Sequence, residues 1–318
     1  MTEHFSDRLI RSIRAKKSVV CVGLDPRFDK IPESIRAAAR AKYPNDVFAA
    51  AGEAILRFNM GIIDAISDLV PVVKPQIAFY EMFGAAGVQA FADTLKYAKS
   101  KGLLTIADAK RNDIGSTAEA YAQAFLGTTE IFGEKVAAFD ADSVTVTPYL
   151  GWDGIKPFMD VCKNTGKGIF VLVKTSNKSS GDLQDLKVVT GTQAETEPAF
   201  GVVGHFAESW GADDIGEEGY SCLGAVVGAT YPEQAKKLRA IMPTTIFLVP
   251  GFGAQGATID DVLPCFNAGG MGAIVNSSRD INFAYEKSDK YGADDFAAAA
   301  REKVIEMNEQ LKMVFDLS

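Results

Sequence analysis

Short apolar runs rich in β-branched residues alternate along the chain with longer amphipathic stretches, and the unit recurs eight times. The runs occupy residues 18–25, 70–78, 103–110, 143–149, 168–176, 222–230, 245–253 and 273–279. Helical periodicity follows them around 49–66, near 85–101, from about Ser116, over about 154–163 and around 198–210. It continues in YPEQAKKLRAIM, in a short helix after Thr258 and in a closing helix over about 294–314. Continuous apolar strands suit a parallel sheet covered on both faces. Eight strand–helix units predict a closed (β/α)8 TIM barrel, a single domain over residues 1–318 with surface insertions. The stretches 27–46 and 177–196 read as irregular, and the second is too polar for the core and too long for an ordinary connection.

Composition narrows the function. A formal charge of −8 and a pI near 5.0 argue against a nucleic acid polymer as partner. They still allow a phosphorylated metabolite, because a few basic groups gathered locally outweigh the global charge. No apolar run approaches the ~18 residues that span a bilayer, and residues 1–17 lack a continuous apolar stretch. A cytoplasmic protein with no membrane partner is expected. Cys21, Cys162, Cys222 and Cys265 are scattered, with no CxxC pair, and read as small buried hydrophobes in a reduced compartment. Only His4 and His205 are present, so a three-His metal site is impossible. His4 reads as part of a loose N-terminal tail and His205 as part of a helix, which leaves acid–base chemistry to Lys, Asp or Glu.

A barrel carries its chemistry at the C-terminal ends of its strands, and here those ends are polar. The first ends in Asp25, the second holds Lys74, the third ends in Asp108-Ala-Lys110 and the eighth in Arg279. Side chains two apart on a strand share a face, so Asp108 and Lys110 are predicted to enter the same mouth. Asp113 follows in the turn and Thr117 at the start of the next helix, which Ser116 and Glu119 would open as a capping box. Alone, this pattern is also that of an ordinary salt bridge beside a solvated turn; matched groups on the other strand ends favour a site. The glycine-rich loop 251–256 lets backbone N–H groups approach an anion, and Gln255 and Arg279 beside it suggest a phosphate pocket. Phe79, Tyr80, Phe83, Trp152 and Trp210 read as packing residues, and Glu81 as an exposed or helix-capping acid.

ADAKRNDIGSTAEAY (107–121) closely resembles the signature of orotidine 5′-phosphate decarboxylases, particularly their longer-chain bacterial and archaeal group. GLDPRFD (23–29), VVKPQIAFYE (72–81), VKTSN (173–177), PGFGAQG (250–256) and NSSR (276–279) resemble the family's other strand motifs, in the family's order. The resemblance implies a carboxy-lyase of pyrimidine biosynthesis that turns orotidine 5′-monophosphate into UMP and CO2, with no cofactor and no metal. It implies a charged network of Lys74, Asp108, Lys110 and Asp113, and a homodimer in which Asp113 and Thr117 reach the neighbouring site. Asp25 would hold a ribose hydroxyl, and Gln255 and Arg279 the phosphate, with Pro250, Gly251 and Ser278 beside them in the substrate site. Ser176 would contact the pyrimidine, a role Thr175 or Asn177 could share.

That reaction leaves an electron pair in the ring plane at C6, orthogonal to the π system, so fixed positive charge must meet it. Lys110 is the candidate, as a compact cation with transferable protons that Asp108 and Asp113 keep protonated and oriented while Lys74 balances their charge. Related Mg²⁺-dependent phosphosugar decarboxylases and aldolases carry an acidic ligand on strand two, where this chain has Lys74. A catalytically silent nucleotide-binding barrel would be expected to have lost one of the four charged residues.

Overall fold

Parallel strands buried on both faces need uninterrupted apolar side chains, and the eight runs supply them. The computed structural model describes residues 3–191, 195–253 and 258–316. In it the runs become β1 (Val20–Leu24), β2 (Val72–Pro75), β3 (Leu104–Arg111) and β4 (Ser143–Val146). They continue as β5 (Gly168–Lys174), β6 (Leu223–Val227), β7 (Phe247–Pro250) and β8 (Ala273–Ser277). The strands pair in sequence order, and β1 pairs with both β2 and β8 to close a parallel barrel. Most are shorter than the apolar runs because the chain leaves the ladder where polar rim residues begin. After β2, for example, Ala78–Glu81 already form a helical turn.

Helices return between the strands over Val47–Ile66, Gly84–Ser100, Gly115–Phe125, Trp152–Thr165, Ala199–Gly211, Pro232–Ile241 and Ile259–Val262, and Phe296–Leu311 closes the ring. Asp46 starts the first of these by accepting the Phe48 and Ala49 N–H groups at 3.0 and 2.9 Å. Ile55, Phe58, Ile62 and Ile66 form its buried stripe against the barrel. Among the described residues no helix is long and apolar enough to cross a membrane.

Four segments depart from the sequence reading. The N-terminal segment is an ordered helix, Phe5–Lys16, with Phe5, Leu9, Ile10 and Ile13 buried. Phe5 plugs the end of the barrel where the strands begin: a Cβ on Gly168 would lie 2.3 Å from its ring. His4 is accordingly not in a loose tail; its Nε2 lies 3.6 Å from Asp214. The stretch 27–46 contains the helix Glu33–Lys42, and 128–137 contains a hairpin of Thr129–Ile131 with Glu134–Val136. The polar insertion holds a turn, the short helix Gly181–Gln184, and a hairpin of Lys187–Val189 with Thr196–Pro198. These are short, largely exposed elements, which leave little hydrophobic period to read. The capping box at Ser116 and Glu119 does not form, since the helix starts two residues earlier, at Gly115 behind Ile114, with no side-chain cap.

Candidate active site

β2 and β3 are neighbours, so the side chains at their ends share one part of the rim. Lys74 Nζ lies 2.6 Å from Asp108 Oδ2, and Lys110 Nζ lies 2.6 Å from Asp108 Oδ1. Thr145, on β4, donates its hydroxyl to the same Oδ1 at 3.0 Å. One carboxylate thus organises two ammonium groups and a hydroxyl. Burial works to raise the Asp108 carboxyl, but the charges of Lys74 and Lys110 and their hydrogen bonds outweigh it and hold it well below the usual carboxylate range. Burial likewise works against charge on Lys74, and Asp108 and Asp25 reverse it, so Lys74 is held above its ordinary value.

Simple strand alternation does not by itself place Lys110. The β3–β4 register shifts between Ala107, opposite Val144, and Arg111, opposite Val146. Within this bulge Lys110 takes φ +45°, in the left-handed region that costs a non-glycine residue about 1–3 kcal/mol. Its N–H donates to Thr145 Oγ1 at 2.9 Å. Thr145 therefore holds both ends of the Asp108–Lys110 pair. Sequence reasoning missed it, although Thr145 and Thr147, alternating with valines at the end of an apolar strand, were a usable signal.

Beside this network a cavity of 230 Å3 opens between β1, β7 and β8. Asp25, Lys74, Pro250, Gly251, Ser278 and Arg279, all expected in the site, line it together with Arg27 and Asn276, which the sequence reading did not single out, and Phe79, which it read as a packing residue. Phe79 thus faces the cavity, whereas Tyr80 is packed away at 0% exposure. Glu81 is exposed and ion-paired to Arg111 at 2.8 Å. Gly23 has no room for a side chain, since a Cβ would fall 1.9 Å from Ser278 Oγ, and this close approach of β1 to the end of β8 seats Ser278 in the wall. Gly251 turns the chain at φ +108°, which favours glycine. Burial raises the Asp25 carboxyl, with Lys74 and the Ser278 hydroxyl opposing. Asp25 Oδ1 and Asn276 Oδ1 are buried acceptors without a hydrogen-bond partner among the described residues. Two orphaned acceptors in one wall suit a ligand rich in hydroxyl or N–H donors. Arg279 is exposed at the mouth, with no carboxylate in ion-pair range among the described residues.

Other predicted site residues stand apart from this cavity. Asp113 does not join the Asp108 network within the chain; its carboxylate accepts the Ile114 N–H at 2.8 Å. Thr117 is exposed on the following helix. Ser176 is half-buried after β5, while Thr175 Oγ1 and Asn177 Oδ1 bond to each other at 2.6 Å. Gln255 lies outside the described residues.

The four cysteines are buried and unpaired. Burial pushes the Cys21 and Cys265 thiols up to about 12, which suits the packing role and not a nucleophile. Among the described residues, His4, Asp214 and Cys222 are the one group close enough to share a metal ion. They sit at the opposite end of the barrel, and a His4–Asp214 ion pair already accounts for them: burial disfavours charge on His4, yet Asp214 and Cys222 raise it to about 10. A larger cavity of 690 Å3 runs along Phe296–Leu311 and carries no comparable group of buried charges.

A closed β/α barrel with a lysine–aspartate–lysine network and exposed arginines at its C-terminal rim has the architecture of a barrel enzyme, whose active site forms at that face. Residues 18–292 match the orotidine 5′-phosphate decarboxylase / HUMPS family, and the chain belongs to that family. It is 45% identical over 311 residues to the orotidine 5′-phosphate decarboxylase of Rhodopirellula baltica, across 97% of this chain and 99% of that protein. The Caldicellulosiruptor bescii protein of the same name is 45% identical over 283 residues, covering 89% of this chain and 90% of its own. Among solved structures, the Leishmania donovani OMP decarboxylase superposes with a TM-score of 0.71 at 32% identity, covering 98% of this chain and 99% of that one.

Proposed function

We propose that this chain decarboxylates orotidine 5′-monophosphate to UMP, with Lys110 as the group that meets the departing electron pair. Its relatives carry the name orotidine 5′-phosphate decarboxylase, which supports a carboxy-lyase of UMP biosynthesis. The observation that carries the mechanism is the single carboxylate of Asp108 holding two ammonium groups at 2.6 Å each. As the C6–CO2 bond breaks, its electrons stay on C6. The Lys110 ammonium, fixed beforehand, stabilises them and then transfers one proton to C6; water returns a proton to the amine. Asp25 and Asn276 supply acceptors for the ribose hydroxyls, and Arg279 supplies charge for the phosphate, with Gly251 letting the backbone approach it. Phosphate binding far from C6 contributes energy for closing and drying the site.

The exposed Thr117 and the half-buried Asp113, which stays outside the Asp108 network of its own chain, support a homodimer in which each completes the neighbouring site. Four buried free cysteines support a reducing, cytoplasmic setting. Lys74 disfavours the magnesium-dependent alternative, because both oxygens of the central carboxylate are already engaged by ammonium groups. In the direct test, purified protein in EDTA removes orotate absorbance and releases UMP with CO2. No turnover, or turnover only with added Mg²⁺, refutes the assignment.

Arg279→Ala is expected to raise KM about 10- to 100-fold, as loss of a charged hydrogen bond does. Steady-state kinetics check this, and unchanged KM and kcat/KM would remove Arg279 from the phosphate site.

A further inference from the structure

The polar insertion after β5 is built into the rim. Lys174, the last residue of β5, is fully buried at 0% side-chain exposure, and its ammonium lies 2.8 Å from the Asp185 carboxylate of the insertion. The Tyr231 ring, 4.6 Å away, covers the same ammonium. A buried ammonium needs its partner, so Lys174 ties the insertion to the end of its strand. One residue before Asp185, Gln184 grips the loop that leads into the insertion. Its Oε1 accepts the Thr175 N–H at 2.9 Å, and its Nε2 donates to Thr175 Oγ1 at 2.8 Å. Thr175 Oγ1 in turn donates to Asn177 Oδ1 at 2.6 Å. On the other side the loop rests on Gly228, where a Cβ would lie 2.8 Å from Ser176 Cβ and from its backbone N. Thr175 Oγ1 and Asn177 Oδ1 are thus engaged with each other, and of the three side chains Thr175, Ser176 and Asn177, that of Ser176 is the one with no hydrogen bond among the described residues.

We propose that the insertion fixes Ser176 for contact with the substrate's pyrimidine ring, with Gln184 as the positioning residue and the Lys174–Asp185 pair as its anchor. The inference rests on the reading that Ser176 touches the ring. It turns a segment that reads as a variable surface loop into a determinant of base recognition, acting from outside the catalytic network. Gln184 is half-buried in a short surface helix, so removing its amide leaves the core intact.

The test compares UMP, which carries the base, with ribose 5-phosphate, which lacks it, by calorimetric titration. Ser176→Ala and Gln184→Ala should each weaken UMP binding about tenfold. Ribose 5-phosphate affinity and thermal melting should stay at parental values. Because Gln184 acts through Ser176, the double variant should bind UMP no more weakly than Ser176→Ala alone. Parental UMP affinity in Gln184→Ala, or losses that multiply in the double variant, would overturn the positioning role while leaving Ser176 in place. Parental affinity in Ser176→Ala would instead show that Ser176 does not touch the ring, and the inference falls with it.

Discussion

Lys110→Ala is expected to lower turnover by about ten-thousand-fold or more with little change in melting temperature. The substitution removes two contributions at once. Fixed charge aimed at a developing anion is commonly worth about 100- to 1,000-fold, and a positioned proton donor about 100- to 10,000-fold. Neither is replaced by water, because the electron pair at C6 lies in the ring plane and must be met at that position. Stability should barely respond: the Lys110 side chain is 45% exposed, so its ion pair with Asp108 is screened by solvent. The backbone N–H that Thr145 accepts survives the substitution. Single-turnover CO2 release and a thermal melt read the two quantities separately. Near-parental turnover would end the mechanism; collapse of the fold would show that Lys110 is chiefly structural.

Asp108→Asn should be costly on both counts. Lys74 and Asp108 have side chains only 7% and 9% exposed, and breaking one side of such a pair leaves a buried ammonium uncompensated. A loss of about 3–5 kcal/mol is expected in denaturant unfolding, together with a severe loss of activity as Lys74 and Lys110 lose their common anchor. The pH dependence of stability has a definite sign. Because Asp108 is held below its ordinary value, its contribution is present above the normal aspartate range near ~4. It is lost as the pH falls through the depressed native value, and Asn at 108 should erase that acid-side dependence. Asp25 has the opposite sign. Burial raises it, so its contribution belongs to low pH and fades as the pH rises through its native value. Equal stability of parent and variant at neutral pH would show that the pair is not the strut this geometry describes.

Hydrophobic periodicity located all eight strands because a barrel strand buried on both faces must be apolar throughout, a requirement each run meets locally. It also located the rim, since polar residues at the ends of such runs have no place in the core. For that reason Asp25, Lys74, Asp108, Lys110 and Arg279 were legible as a group. Short exposed elements were not: the hairpin over 129–136 and the helix Glu33–Lys42 bury too little to impose a period. The N-terminal helix was legible, since Phe5, Leu9, Ile10 and Ile13 recur at helical spacing, but it precedes the first strand–helix unit, and only the tertiary structure shows that its stripe docks on Phe170 and Gly168.

From its own order of residues, then, the chain determined the barrel, the number of its strands and which charges stand at its mouth, because burial on a strand is a local demand. Tertiary structure alone decided how those charges meet. The bulge in β3, the Thr145 hydroxyl that spans it, the contact of Gly23 with Ser278 and the grip of Gln184 on Thr175 all join residues from different strands or loops. Such contacts depend on register and close approach between segments, and neither leaves a period in the sequence.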